Sequence, residues 1–220
     1  MIKIKTEPSE DVLYGESKWW GFPDLPDGLD WPTVQADDDG ELFDDPLTFI
    51  CQIKCSDIAP FDPEGLLPHE GMLYFFAALD YFLGDMDAFT APGMGEWPSE
   101  YFRVLYSPVT EGLNTHTLMY DEDTPAAPAP EAIRFWMPDH VGHDGVTPDS
   151  DRESYTWLLG EAFAEETREA LPEYVSLLQI DENDDWGLRF FDCGMLNFMI
   201  KPADLAARRF EKVKAWLYSS

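Results

Sequence analysis

Alternation of apolar and less apolar positions marks short strands along much of this chain. Phe49 to Lys54 (FICQIK) alternates in this way, and an acidic, proline-bearing connection leads on to Gly71 to Phe76 (GMLYFF). The order returns late in the chain: Ser176 to Asp181 (SLLQID), then DENDDWGLRFFDC, then Gly194 to Met199 (GMLNFM). The pairs share Gln-Ile in the first strand and Gly-Met-Leu-x-Phe in the second. That predicts an internal duplication of a two-strand unit, with copies at about 46–80 and 174–201. Period-two alternation puts Leu73 with Phe75, and Leu196 with Phe198, on one buried face of their strands.

Tyr101 to Ser107, Thr115 to Tyr120 and Ile133 to Met137 read as further strands, and Asp121 to Glu131 as a proline- and alanine-rich linker. Ser150 and Glu153 fit a capping box, and Tyr155, Leu158, Leu159, Ala162 and Phe163 follow at helical spacing. The spacing predicts a helix over about Asp151 to Ala170, which Gly160 weakens or divides. Leu205, Phe210, Val213 and Leu217 form an apolar stripe behind Pro202, so Pro202 to Leu217 reads as a C-terminal amphipathic helix. Its cations, Arg208, Arg209, Lys212 and Lys214, suit the negative end of a helix better than a phosphate-binding face. The expected class is α+β: a single domain over 1–220, with a mixed or largely antiparallel sheet.

Charge narrows the partners. With 44 acidic against 14 basic residues and a formal net of −30, nucleic acid and anionic membrane are excluded as natural partners. A basic protein would be attracted, while the same charge also serves solubility. The start MIKIKTEPSE has no signal-type apolar core, and the longest apolar run, Met72 to Leu79, falls short of a membrane span. Three cysteines without an export signal point to the cytoplasm. Cys51 and Cys55, roughly 13 Å apart along a strand at about 3.3 Å per residue, cannot close a disulfide and read as core. Nothing in the pattern sets the oligomeric state.

Candidate chemistry is sparse. Asp181, Asn183 and Asp185 have the spacing of the first ligands of a calcium loop, but Trp186 stands where such a loop turns on glycine. The run reads instead as a turn between strands. His140 and His143, with Asp144 beside them, are the only metal-ligating candidates; no metal or cofactor is expected. Neither a Gly-x-Ser-x-Gly elbow nor a phosphate-cradling loop is present, so the reading leans away from an enzyme. Trp19, Trp20 and Trp31, interleaved with prolines, can wall a pocket or pack over a sheet edge. Gln52 and Gln179 can bind a polar ligand or satisfy buried backbone groups. With Trp186, these are the candidate ligand-binding residues.

The opening third contains Gly21, Pro23, Leu25, Pro26, Gly28, Trp31 and Pro32, then Pro46, Leu47, Phe49, Gln52 and Ile53, then Leu67, Pro68, Gly71, Leu73, Phe75 and Phe76. This succession resembles the YwqG-like family of uncharacterised bacterial proteins, as do LLQIDENDDWG, GMLNFMI and DLAARRF near the end. The middle departs: LLGEAFAEETREALPEY has no proline directly after Gly160. The resemblance implies an α+β fold with duplicated strand units, and brings no activity and no catalytic residues. The expected function is a cytosolic acidic interaction protein, of the immunity type that neutralises a basic toxin. The alternative is an enzyme or small-ligand binder using a cleft between the duplicated units.

Overall fold

The computed structural model describes residues 1–137 and 155–220. Its strands are β1 (Ile2–Pro8), β2 (Lys18–Trp19), β3 (Asp24–Leu25), β4 (Thr33–Asp38), β5 (Glu41–Pro46), β6 (Thr48–Lys54), β7 (Met72–Ala77), β8 (Gly95–Glu96), β9 (Phe102–Ser107), β10 (Asn114–Thr115), β11 (Glu131–Trp136), β12 (Trp157–Gly160), β13 (Val175–Asp181), β14 (Met195–Ile200) and β15 (Lys214–Tyr218). Helices are short: α1 (Cys55–Ile58), α2 (Glu165–Ala170) and α3 (Pro202–Ala206). Eleven strands form one antiparallel sheet in the order β8-β15-β14-β13-β12-β1-β11-β2-β6-β7-β9. The expected α+β class is therefore corrected to a largely β fold, built on a curled half-barrel sheet.

The curl follows from one contact. Phe75 on β7 and Phe198 on β14 are seven strands apart in the sheet, which flat would separate them by roughly 34 Å. Their ring centroids lie 5.4 Å apart. Both belong to the principal core with Leu73 and Leu196, enclosed by the concave face. On the convex face of β7, Met72, Tyr74 and Phe76 pack with Leu25, Val34 and Leu47. On that of β14, Met199 packs with Ala162 and Leu171.

Two halves of the sheet have matching register. Gln52 pairs with Tyr74 and Gln179 with Asn197, and each strand pair has a bulge just before that point, between Phe49 and Cys51 and between Ser176 and Leu178. Trp20, just after β2, and Leu159, within β12, both adopt the left-handed backbone, with φ of 58° and 52°.

Three assignments of local structure change. The C-terminal stripe does not lie on one helix: α3 is followed by a 3-10 turn at Phe210–Lys212 and then by β15. Arg208, with φ of 55°, stops the helix, and Lys214 to Tyr218 alternate half-buried and buried against β14. Phe210 and Val213 are nevertheless buried. The helix expected over Asp151 to Ala170 is replaced by β12, held between β1 and β13, and by α2; Ser150 and Glu153 lie outside the described residues. Pairing with two neighbours overrides the local helical spacing. Of the strand expected over Thr115 to Tyr120, Thr115 alone falls in a named strand, β10, paired with β3, while Met119 forms an isolated bridge with Pro125.

Cys55 opens α1 rather than continuing a strand, and with Cys51 it is buried and free. The linker is mostly exposed, but Glu131 belongs to β11, and Gly21 donates its N–H to the Pro128 carbonyl. Among the described residues no helix is long and apolar enough to cross a membrane.

Candidate functional site

The glutamines are backbone locks. Gln52 Oε1 accepts the Asp24 N–H at 2.8 Å, and its amide donates to the Glu16 carbonyl at 3.0 Å. Gln179 Oε1 accepts the Phe163 N–H at 2.8 Å, and its amide donates to the Tyr155 carbonyl at 2.7 Å. Each therefore ties down the chain before and after the strand beside it, β2 in one half and β12 in the other. Both are fully buried.

In the first half the lock holds an ion pair. Lys18 Nζ lies 2.7 Å from Asp24 Oδ2, which also accepts from the Gly15 N–H at 2.9 Å and Gln52 Nε2 at 2.8 Å. Thr115 donates to Asp24 Oδ1 at 2.6 Å, and the Tyr74 hydroxyl donates to the Asp24 carbonyl at 2.7 Å. Burial raises the Asp24 pKa, but the hydrogen bonds from Lys18, Thr115 and Gly15 and the lysine charge outweigh it, leaving a net lowering.

The second half places Asn197 opposite its glutamine. Both side-chain polar atoms of Asn197 are buried without a hydrogen-bond partner. An unpartnered buried amide costs stability, whereas an apolar side chain of similar shape does not. Asn197→Leu is expected to stabilise the fold by about 1–2 kcal/mol in urea unfolding; a clear loss would show that the amide is satisfied.

The tryptophans also pack. Trp186 stacks on Trp19 at 5.3 Å, meets Trp20 edge-on at 5.5 Å, and donates its indole N–H to Glu131 at 3.1 Å. The acidic turn before it is organised by Asn183, whose side chain accepts the N–H groups of Asp185 and Trp186. Trp31 donates to the Leu47 carbonyl at 2.7 Å and packs on Phe49 and Phe76. His140, His143 and Asp144 lie outside the described residues. Among the described residues no group of three or more His, Cys, Asp or Glu is placed to hold a metal ion.

The structure gathers a different set of residues at the surface. β4 and β5 form a separate two-stranded hairpin, turned by Asp39 (φ 53°) and Gly40 (φ 92°). Two successive positive φ values give the tight turn that matches strand twist, and Asp-Gly was the sequence signal for it. Val34 and Ala36 are its buried side, while Leu42 is 70% exposed. Phe43 meets Phe89 at 4.8 Å, joining the hairpin to the loop after β7. Met86 and Tyr120, each 73% exposed, stand on the adjoining segments.

Carboxylates crowd this face. Segments 33–46, 80–89 and 119–124 carry twelve Asp and Glu and no Lys or Arg. The Asp45 pKa is raised by burial and then by the charges of Asp80 and Asp85. Burial and Asp85 likewise raise Asp80, against a hydrogen bond from Thr48. Burial also raises the Tyr120 phenol, reinforced by Asp80, Asp85 and Asp45, so the three segments share one electrostatic field. Such a field attracts cations, and the exposed apolar side chains within it suit a partner that is both basic and apolar.

A separate cavity of about 570 Å³ lies between loop 61–68 of the first half and Leu159, Val175 and Leu205 of the second. Neither Gln52, Gln179 nor the tryptophans line it.

Comparison with protein families matches residues 17–217 to one family model, Domain of unknown function (DUF1963). Among curated proteins none matches the chain.

Proposed function

The chain belongs to this domain family of unknown function, and from its surface we propose that it is a cytoplasmic interaction module whose acidic hairpin face docks a basic protein. The proline-tryptophan and Gly-Met-Leu motifs support a place among the family's YwqG-like members. One observation carries the functional reading: exposed Leu42, Met86, Phe89 and Tyr120 stand among twelve carboxylates with no cation in the same segments. Apolar anchors supply contact area, while the surrounding charge steers the encounter and selects a cationic partner. Neutralising a basic toxin, as an immunity protein does, is the specific form of this reading. We favour it over a ligand site at Gln52 and Gln179 because both side chains are fully buried and hydrogen-bonded within the sheet.

The test uses a fluorescent amphipathic Lys/Leu helical peptide and anisotropy at low salt. Replacing Asp38, Glu41 and Asp87 by their amides is expected to weaken binding about tenfold, as loss of steering and pairing charges should. The same change at Glu165, Glu166 and Glu169 on α2 removes equal charge elsewhere and should leave affinity within about twofold. Equal losses from both triples would reduce the face to a share of the net charge and end the proposal. Binding should also weaken as pH falls through the raised values of Asp45 and Asp80, above the ordinary 3.8.

A further inference from the structure

The cavity between the two halves has its own chemistry, independent of the acidic face. Its walls are chiefly apolar, formed by Ile2, Phe61, Leu66, Leu159, Val175 and Leu205, and its volume of about 570 Å³ falls within the range of small-molecule sites. Arg208 also lines it. Its guanidinium lies 5.4 Å from the Tyr106 ring and donates to the Tyr106 hydroxyl at 3.1 Å. Among the described residues it forms no ion pair, although the chain has 44 acidic residues.

Three carboxylates line the same cavity. Asp62 is turned into its own loop, where Oδ2 accepts the Leu67 N–H at 2.7 Å and lies 3.2 Å from His69 Nε2. Glu64 and Glu161 are exposed. Arg208 thus brings to an apolar chamber a guanidinium that, beyond its bond to Tyr106, has no carboxylate partner among the described residues, a pairing that fits a carboxylate on an apolar body.

We infer that this cavity binds a small amphipathic anion, with its apolar body between loop 61–68 and Leu205 and its carboxylate on Arg208. Decanoate, kept below its micelle concentration, is the probe for titration calorimetry on the full chain, with decanol and decylammonium as controls. Decanoate should bind with one-to-one saturation, and decanol and decylammonium at least tenfold more weakly. Arg208→Gln should cost decanoate about tenfold while leaving decanol unchanged, because the charge-assisted bonds are lost and the apolar contacts kept. Ala206→Phe, on exposed α3 at the cavity wall, should block decanoate without changing any charge. Thermal melts close to wild type would show that both variants fold. Absence of saturable decanoate binding to the wild type would overturn the inference, as would binding indifferent to folded Arg208→Gln or Ala206→Phe.

Discussion

Asp24→Ala is expected to cost about 3–5 kcal/mol of stability, because it leaves the Lys18 ammonium buried without its partner. It also removes the acceptor for Gly15, Gln52 and Thr115, so the segment that leaves β2 loses its anchor. Urea unfolding of Asp24→Ala and of the double variant Asp24→Leu with Lys18→Met separates these effects. The double variant should lose less than the single one, since no isolated charge remains in the interior. The pH dependence has a defined sign. A carboxylate whose folded pKa is lowered contributes stability that is full above its unfolded value and is lost as pH falls through the folded one. The gap between wild type and Asp24→Ala should therefore narrow on acidification below 3.8. A gap constant down to pH 2 would mean that the pair does not supply the stability.

Gly71→Ala and Gly194→Ala should each cost roughly 3 kcal/mol, the upper range for forcing atoms into a packed interior. A Cβ on Gly71 would stand 2.3 Å from the Ser107 carbonyl oxygen, and one on Gly194 would stand 2.1 Å from that of Phe190 and 2.9 Å from that of Tyr218. Ser107 and Tyr218 hold matching places, opposite Met72 and Met195. The glycine of each Gly-Met-Leu motif is thus required where a neighbouring backbone comes too close for any side chain. Gly187→Ala is the control: its φ of 69° is strained for alanine, but nothing lies within 4 Å, so about 1–2 kcal/mol is expected. Thermal or urea unfolding of the three variants reads the difference. Because Gly194 has no positive φ, a Gly194→Ala loss no larger than that of Gly187→Ala would contradict close approach as the cause.

The strands of the sheet were legible because burial on two faces leaves an apolar run between turns, unbroken in Met72–Ala77 and interrupted only by Asn197 in Met195–Ile200. The helices were misread where a short apolar pattern fits both periods. Leu217 continues the helical stripe of Phe210 and Val213, yet Ala215 to Tyr218 is equally a short apolar run that a strand can hold, and only the open edge of β14 decides between them. Leu159 within β12 and Arg208 after α3 adopt a left-handed backbone that side-chain pattern does not encode, since non-glycine residues seldom do so. The acid excess was evident in composition, but its concentration on one face was not. That face is assembled by the hairpin turn at Asp39-Gly40 and the Phe43–Phe89 contact, which bring separate segments together. Lys18 likewise finds Asp24 only because Gln52 fixes the intervening turn.

The most direct test of the docking face is an amide NMR titration of the full ¹⁵N-labelled chain with the Lys/Leu peptide at low salt. The largest shift changes should fall in residues 37–45, 85–89 and 119–123, and salt should suppress them together. Changes spread evenly over acidic surface, or centred on Glu165 to Glu173, would contradict the assignment of this face as the binding surface.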